Sequence, residues 1–178
     1  MAAHAVPYDS CRTYFLERFE TAIFPYWIGT RWDYNGYTNT PGEDKVIACG
    51  YFVSTTLKHM GFNWNRYDLA KLYSHDMVEQ TCSGVRDYSD LTTLLATLEK
   101  QGDNLYMVGL DNHVGLLLKR QTHTWFIHSN YINSMGPIME KASESRVLAS
   151  SSNYKIGLLL SDAMLEKWLK GTLIMFTR

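Results

Sequence analysis

Cys49, His113 and His128 are the residues of this 178-residue chain whose types and settings suit nucleophilic acyl chemistry. Cys49 heads the segment Cys49-Gly50-Tyr51-Phe52-Val53, at the mouth of an amphipathic helix and directly after a loop rich in Gly, Pro, Asn and Thr. The first turn of a helix offers unpaired N–H groups and a partial positive charge, which lower a thiol pKa and can later hold an oxyanion. A thiol at that place still needs a base. His113 would take its proton and return it to a leaving amine, His128 would hold the His113 ring in the useful tautomer, and the Cys49 N–H would help to stabilise the tetrahedral oxyanion. Core packing is the competing reading of Cys49, since free cysteine is among the most buried residue types. A histidine taken singly is more often a satisfied core or surface residue than a catalyst. Zinc is a further alternative, with Asp111 or Cys82 as fourth ligand, but neither an HExxH nor a paired CxxC spacing is present, and the reading adopted has no metal and no cofactor.

The elements that must position these side chains are legible from periodicity. Asp9-Ser10 caps a docking helix through Tyr14, Phe15, Phe19, Ala22 and Ile23 that should end near Pro25. Gly29 to Lys45 reads as a long ordered loop, and such loops tend to be functional. The nucleophile helix runs from Cys49 to His59 and stops at Met60-Gly61. A second helix is expected over Arg66 to Glu79, and a third from the Ser89-Asp90 cap to about Gln101. Three strand-like runs follow, 105–110, 113–118 and 124–128, with near-continuous apolar residues that imply cover on both faces. A tight turn at Arg120-Gln121 sets His113 and His128 directly across from each other, their Cβ atoms roughly 4.5–5.5 Å apart. A four-residue loop makes them diagonal neighbours, and either register keeps them on one face. His123 reads as a turn residue in water. Ala142 to Ser152 is loop or edge strand, Lys155 to Leu160 a strand, Ser161 to Lys170 a capped helix, and Leu173 to Phe176 a short tail strand. Helices first and a mostly antiparallel sheet afterwards make an α+β chain. It reads as one domain over 1–178: a docking helix in 1–28, a catalytic core over 29–128, and sheet completion with a C-terminal helix over 129–178.

Composition narrows the partners. Net charge is −1 and the basic residues are scattered, so no phosphate-tracking stripe or polybasic membrane face is present, and nucleic acid is not expected. No apolar run reaches the length of a membrane span, and the Met1-Ala2-Ala3-His4 start lacks the basic and apolar parts of a signal peptide. The three cysteines, Cys11, Cys49 and Cys82, cannot all pair, so at least one thiol is free. Aromatics crowd between Tyr26 and Tyr51, where they line either a groove or the core.

Several of these segments together resemble one family. Gly29-Thr30-Arg31-Trp32-Asp33-Tyr34-Asn35-Gly36, Pro41-Gly42 and Cys49-Gly50-Tyr51-Phe52-Val53 are similar to the G-x-x-Y-x-W-G-G, Pro and D-C-S-G-F-V features of NlpC/P60 papain-like cysteine peptidases. His113-Val114-Gly115-Leu116 and Phe126-Ile127-His128 resemble that family's H-V-G-I-Y and M-I-H strands. The resemblance implies a papain-like fold, a Cys49-His113-His128 triad, no cofactor, and cleavage of an amide or peptide bond in peptidoglycan stem peptides beside D-glutamate, in the periplasm or outside the cell. Trp32, Asp33 and Tyr51 are the candidates for a cleft wall in contact with a peptide or peptidoglycan fragment, with core packing or loop capping as the competing reading. Ala48 stands where the family has Asp, Gly50 where it has Ser, and Trp32 where it has a substrate-contacting Tyr, so the triad transfers better than the substrate. A ligand-binding domain without turnover, and a thioesterase or acyltransferase using the same triad, are the alternatives.

Overall fold

The apolar runs in the second half of the chain pair into a sheet because each has a neighbour that buries its backbone groups and both of its faces. The computed structural model describes residues 8–177, so the Met1-Ala2-Ala3-His4 start lies outside it. Six strands, β1 (Ser83–Tyr88), β2 (Asn104–Gly109), β3 (Val114–Arg120), β4 (His123–Asn130), β5 (Gly136–Lys141) and β6 (Tyr154–Leu158), form one antiparallel sheet in the order β1-β6-β2-β3-β4-β5. The architecture is α+β. Pro137, which cannot donate to a ladder, is accommodated on the edge strand β5.

Each face of the sheet carries its own core. Helices α1 (Tyr8–Arg18), α3 (Cys49–His59) and α5 (Ser74–Thr81) pack Phe15, Phe52, Val53 and Val78 against Met107, Val114, Leu116 and Ile127. On the other face, α6 (Leu91–Glu99) and the short α7 (Arg146–Ala149) bring Leu94, Leu98 and Leu148 onto Val108, Leu117 and Phe126. Burying a Leu or Phe contributes about 1.5–3 kcal/mol, which accounts for strands that read as apolar runs rather than as alternation. Among the described residues no helix is long and apolar enough to cross a membrane.

The helices depart from expectation in three places. The first helix does not stop at Pro25. It widens into a π turn over Phe19–Ile23 and continues as α2 (Phe24–Trp27), whose first turn takes the proline where no N–H is needed. The expected second helix is two, α4 (Arg66–Ala70) and α5, because Tyr73 is extended and the Ser74 hydroxyl donates to Leu110 O (2.6 Å), which anchors the second piece to the end of β2. The segment from 142 to 152 is a 3-10 turn and α7, not a strand, with Ser145 accepting from Leu148 N at the cap. Strand β1 was not expected, because Gly84 reads as a break. It is instead a bulge with φ +60° inside the strand. Helix α8 (Asp162–Lys170) is capped by Ser161 and closed by Gly171, while the expected tail strand is reduced to one bridge between Trp64 and Ile174.

Candidate active site

Strands β3 and β4 are paired only from Arg120–His123 to Leu116–Ile127. Beyond that point β3 continues with β2 to Val114, β4 continues with β5 to Asn130, and the two splay apart. The chain leading into α3 enters the gap. The Ser129 hydroxyl donates to Ile47 O (2.7 Å), and the Val114 N–H acts on the Cys49 thiol to lower its pKa. The loop before it is fixed from the other side: Arg31 and Tyr37 bridge to Val46 and Ile47, and Trp32 N donates to Ser134 O (3.1 Å). Gly136, at φ +83°, touches Thr30 O so closely that no side chain fits there. Arg66 is buried and donates to Tyr37 O, Thr38 O and Thr55 Oγ1, tying the loop to α3 and α4.

The β3–β4 turn is Gln121-Thr122, with Gln121 in the left-handed region that such turns require. The register is therefore the diagonal one, and His123 opens β4 instead of lying in the turn. His113 Nε2 and His128 Nδ1 lie 2.9 Å apart, with the rings perpendicular. Gly115 makes room for this, since a Cβ there would meet His128 Cβ at 2.9 Å and the Phe126 ring that stacks on His128. His128 Nε2 in turn lies 3.1 Å from Glu140 Oε1 on β5, a contact that sequence reasoning missed. Nothing in the local sequence marks Glu140. Only the β4–β5 register, which sets it diagonal to His128, brings it in.

The direction of this chain follows from charge states. His128 and the Ser145 hydroxyl hold the Glu140 carboxyl below the usual carboxylate value, so it is ionised and only accepts. Burial pushes His128 down, and pushes His113 well down, so both rings are neutral at pH 7 and each carries one proton. His128 must donate from Nε2 and accept at Nδ1. His113 must then donate from Nε2, which leaves its Nδ1 lone pair free to act as a base. Burial raises the Cys49 thiol, and the N–H groups of Val114, Gly50 and Cys49 only partly offset this. The resting pair is therefore thiol and imidazole. The lowered thiol pKa expected from a helix start is outweighed by enclosure.

Cys49 and His113 line one cavity of about 430 Å³, together with Tyr34, Tyr73, His75 and Asn112, and are not hydrogen-bonded to each other across it. A second hollow of about 210 Å³ lies on the other side of His113, beside Tyr131 and Ser150. A separate hollow of about 270 Å³ beside α6 holds Arg86, Tyr88 and Tyr106 but no cysteine or histidine. The other sequence candidates stand back from the cavity. Trp32 packs edge-on to Tyr131, whose ring is 5.4 Å from that of His113. Asp33 is exposed and accepts from Asn35 N (2.8 Å), and Tyr51 packs between Tyr37 and Tyr67 under Arg66. Trp32 Nε1 and His75 Nε2, one ring removed from His113 and on the cavity wall respectively, are buried without hydrogen-bond partners. Gly50 carries no side chain because one would come within 3.0 Å of Ala70 O on α4.

As zinc ligands the same residues do not converge. His113 Nε2 is committed to His128, Asp111 accepts from Ser152 N and Asn153 Nδ2, and burial holds the Cys82 thiol protonated, with its pKa pushed up to about 12. Among the described residues no group of three or more His, Cys, Asp and Glu side chains is arranged to hold a metal ion. Compared with family models, with curated proteins and with solved structures, the chain matches none.

Proposed function

We propose that the protein is a papain-like cysteine hydrolase that cleaves an amide or peptide bond, with Cys49 as nucleophile, His113 as base and His128 as orienting residue. The observation that carries this reading is the directed chain Glu140–His128–His113, which leaves a lone pair on Nδ1 of a histidine that lines the same cavity as Cys49.

The chemistry follows from the proton positions. As the Cys49 sulfur attacks the carbonyl carbon, its proton moves to His113 Nδ1, and the imidazolium keeps its Nε2–H on His128. N–H groups in the first turn of α3 face the developing oxyanion. The proton then passes from Nδ1 to the leaving amine, and a thioester forms on Cys49. Water, deprotonated by His113, hydrolyses that thioester and restores the thiol. Because burial disfavours both the thiolate and the imidazolium, transfer accompanies attack and does not precede it.

Peptidoglycan stem peptides are the first substrate to try, by the motif resemblance. The cleft walls differ from that family's in charge. Asp33 is exposed and accepts from Asn35 N, and Asp111, the acid that lines the cavity, already accepts from Ser152 N and Asn153 Nδ2, so the remaining polar wall offers tyrosines and no further acid. A buried ammonium without an uncommitted acid as partner is costly. A stem peptide and its N-acetylated form should therefore be cleaved with similar kcat/KM. A large loss on acetylation would mean that an amine site exists. Absence of cleavage of either, with the thiol intact, would favour a domain that binds without turnover, a reading to which the raised Cys49 thiol pKa lends its weight.

A further inference from the structure

Glu140 sits on the edge strand β5, two residues from Ile138, the partner of His128 in the ladder, so the pleat turns it to the same face as His128. His128 is fully buried, whereas the Glu140 side chain keeps 28% of its exposure. Ser145, itself buried, also holds the carboxyl down; its hydroxyl oxygen accepts from Leu148 N (3.2 Å) at the start of α7, which leaves its hydrogen to turn toward Glu140. A strand and a helix cap thus place one carboxylate on Nε2 of a histidine that lines neither hollow beside His113.

We propose that Glu140 is a positioning residue that fixes the direction of the proton relay, by binding His128 Nε2–H and so obliging His113 to carry its proton on Nε2 and leave Nδ1 bare. This rests on the hydrolase reading, because only a base needs the bare nitrogen. Without the carboxylate, neutral His128 is free to hold its proton on Nδ1. It would then donate to His113 Nε2, His113 would carry its proton on Nδ1, and the thiol would face a donor instead of an acceptor. Glu140 also lies one imidazole away from the positive charge that forms on His113 during attack, where its own charge offsets part of the cost of burial.

Glutamine separates direction from charge. Its amide oxygen can accept from His128 while its amide N–H donates to Ser145 Oγ, so the direction survives and the charge does not. The test is two-bond proton–nitrogen correlation NMR of histidine-labelled protein at neutral pH, alongside kcat on whichever amide the wild type cleaves. His113 and His128 should both be protonated on Nε2 in the wild type and in Glu140→Gln. In Glu140→Ala, His128 should shift wholly or partly to Nδ1, and kcat should fall by at least about tenfold, short of the roughly 10⁴-fold that follows from reversing a triad histidine. Glu140→Gln should regain most of that loss. Wild-type His128 protonated on Nδ1 would overturn the proposal without any variant. So would a Glu140→Ala protein with unchanged tautomers and kcat, or a glutamine variant no better than alanine. If the tautomers follow Glu140 but no amide is ever turned over, the positioning role stands and the hydrolase reading falls.

Discussion

Cys49 and Cys82 are the same residue at opposite ends of two helices, and the fold gives them opposite chemistry. Cys49 opens α3 in the gap between splayed strands, where three N–H groups act on the sulfur and a neutral imidazole shares its cavity. Cys82 closes α5, where helix carbonyls disfavour a thiolate, and its Cβ fills the space that Gly157 leaves empty on β6. Burial raises both thiols, that of Cys82 to about 12. Burial alone therefore does not sort a reactive thiol from an inert one. What sorts them is whether the groups around the sulfur can receive its proton and stabilise its charge.

The widest separation should appear in turnover. Cys49→Ala and His113→Ala should each lose on the order of 10⁶-fold in kcat, as when members of a catalytic unit are removed. His128→Ala should lose less, about 10²- to 10⁴-fold, because an orienting group is partly replaceable. Cys82→Ala should leave kcat unchanged. Near-wild-type activity in His113→Ala would break the comparison at its base.

Labelling sharpens it without a substrate. Mapped by mass spectrometry, native protein should be alkylated by iodoacetamide at Cys49 at least about tenfold faster than at Cys82 or at the buried Cys11, with His113→Ala narrowing the gap. Preferential labelling of Cys82 would place the reactive thiol elsewhere.

The smallest effect is on stability, where the histidines act at the acid end of the pH scale and the thiols at the alkaline end. His113 and His128 titrate below their ordinary 6.5, so as pH falls the unfolded chain binds protons first, and the stability they contribute is complete above about 6.5 and lost below it. The Glu140 carboxyl, held under its ordinary 4.5, comes into play only at lower pH. Cys82 is raised from 9.0 to about 12, so its contribution is complete below 9.0 and is lost as pH rises toward 12. The melting temperature should drop between pH 7 and 5 and again above pH 9. Replacing both histidines should flatten the acid limb only, and Cys82→Ala should reduce only the alkaline limb, leaving there the contribution of the Cys49 thiol.

The nucleophile helix, its bounds at Cys49 and His59, and the shared face of the two histidines were legible because local signals agree there: a loop, a glycine stop and period-two strands. Glu140 was not, since its role is created by a β4–β5 register that no local signal encodes. The same holds for β1, where a positive-φ glycine makes a bulge and a break look alike, and for α4–α5, whose interruption at Tyr73 depends on a hydrogen bond to the end of β2. The turn at Gln121-Thr122 shows the limit from the other side. One residue of displacement changed opposition to diagonal contact, yet pleat parity kept the histidines together.

The proposed mechanism passes through a thioester on Cys49, and hydroxylamine intercepts thioesters. Peptidoglycan fragments incubated with the protein and hydroxylamine, then analysed by mass spectrometry, should yield a peptide hydroxamate beside the hydrolysed acid, and Cys49→Ala should yield neither. Equal product from wild type and Cys49→Ala, or hydrolysed acid with no hydroxamate at any hydroxylamine concentration, would contradict a Cys49 acyl-enzyme.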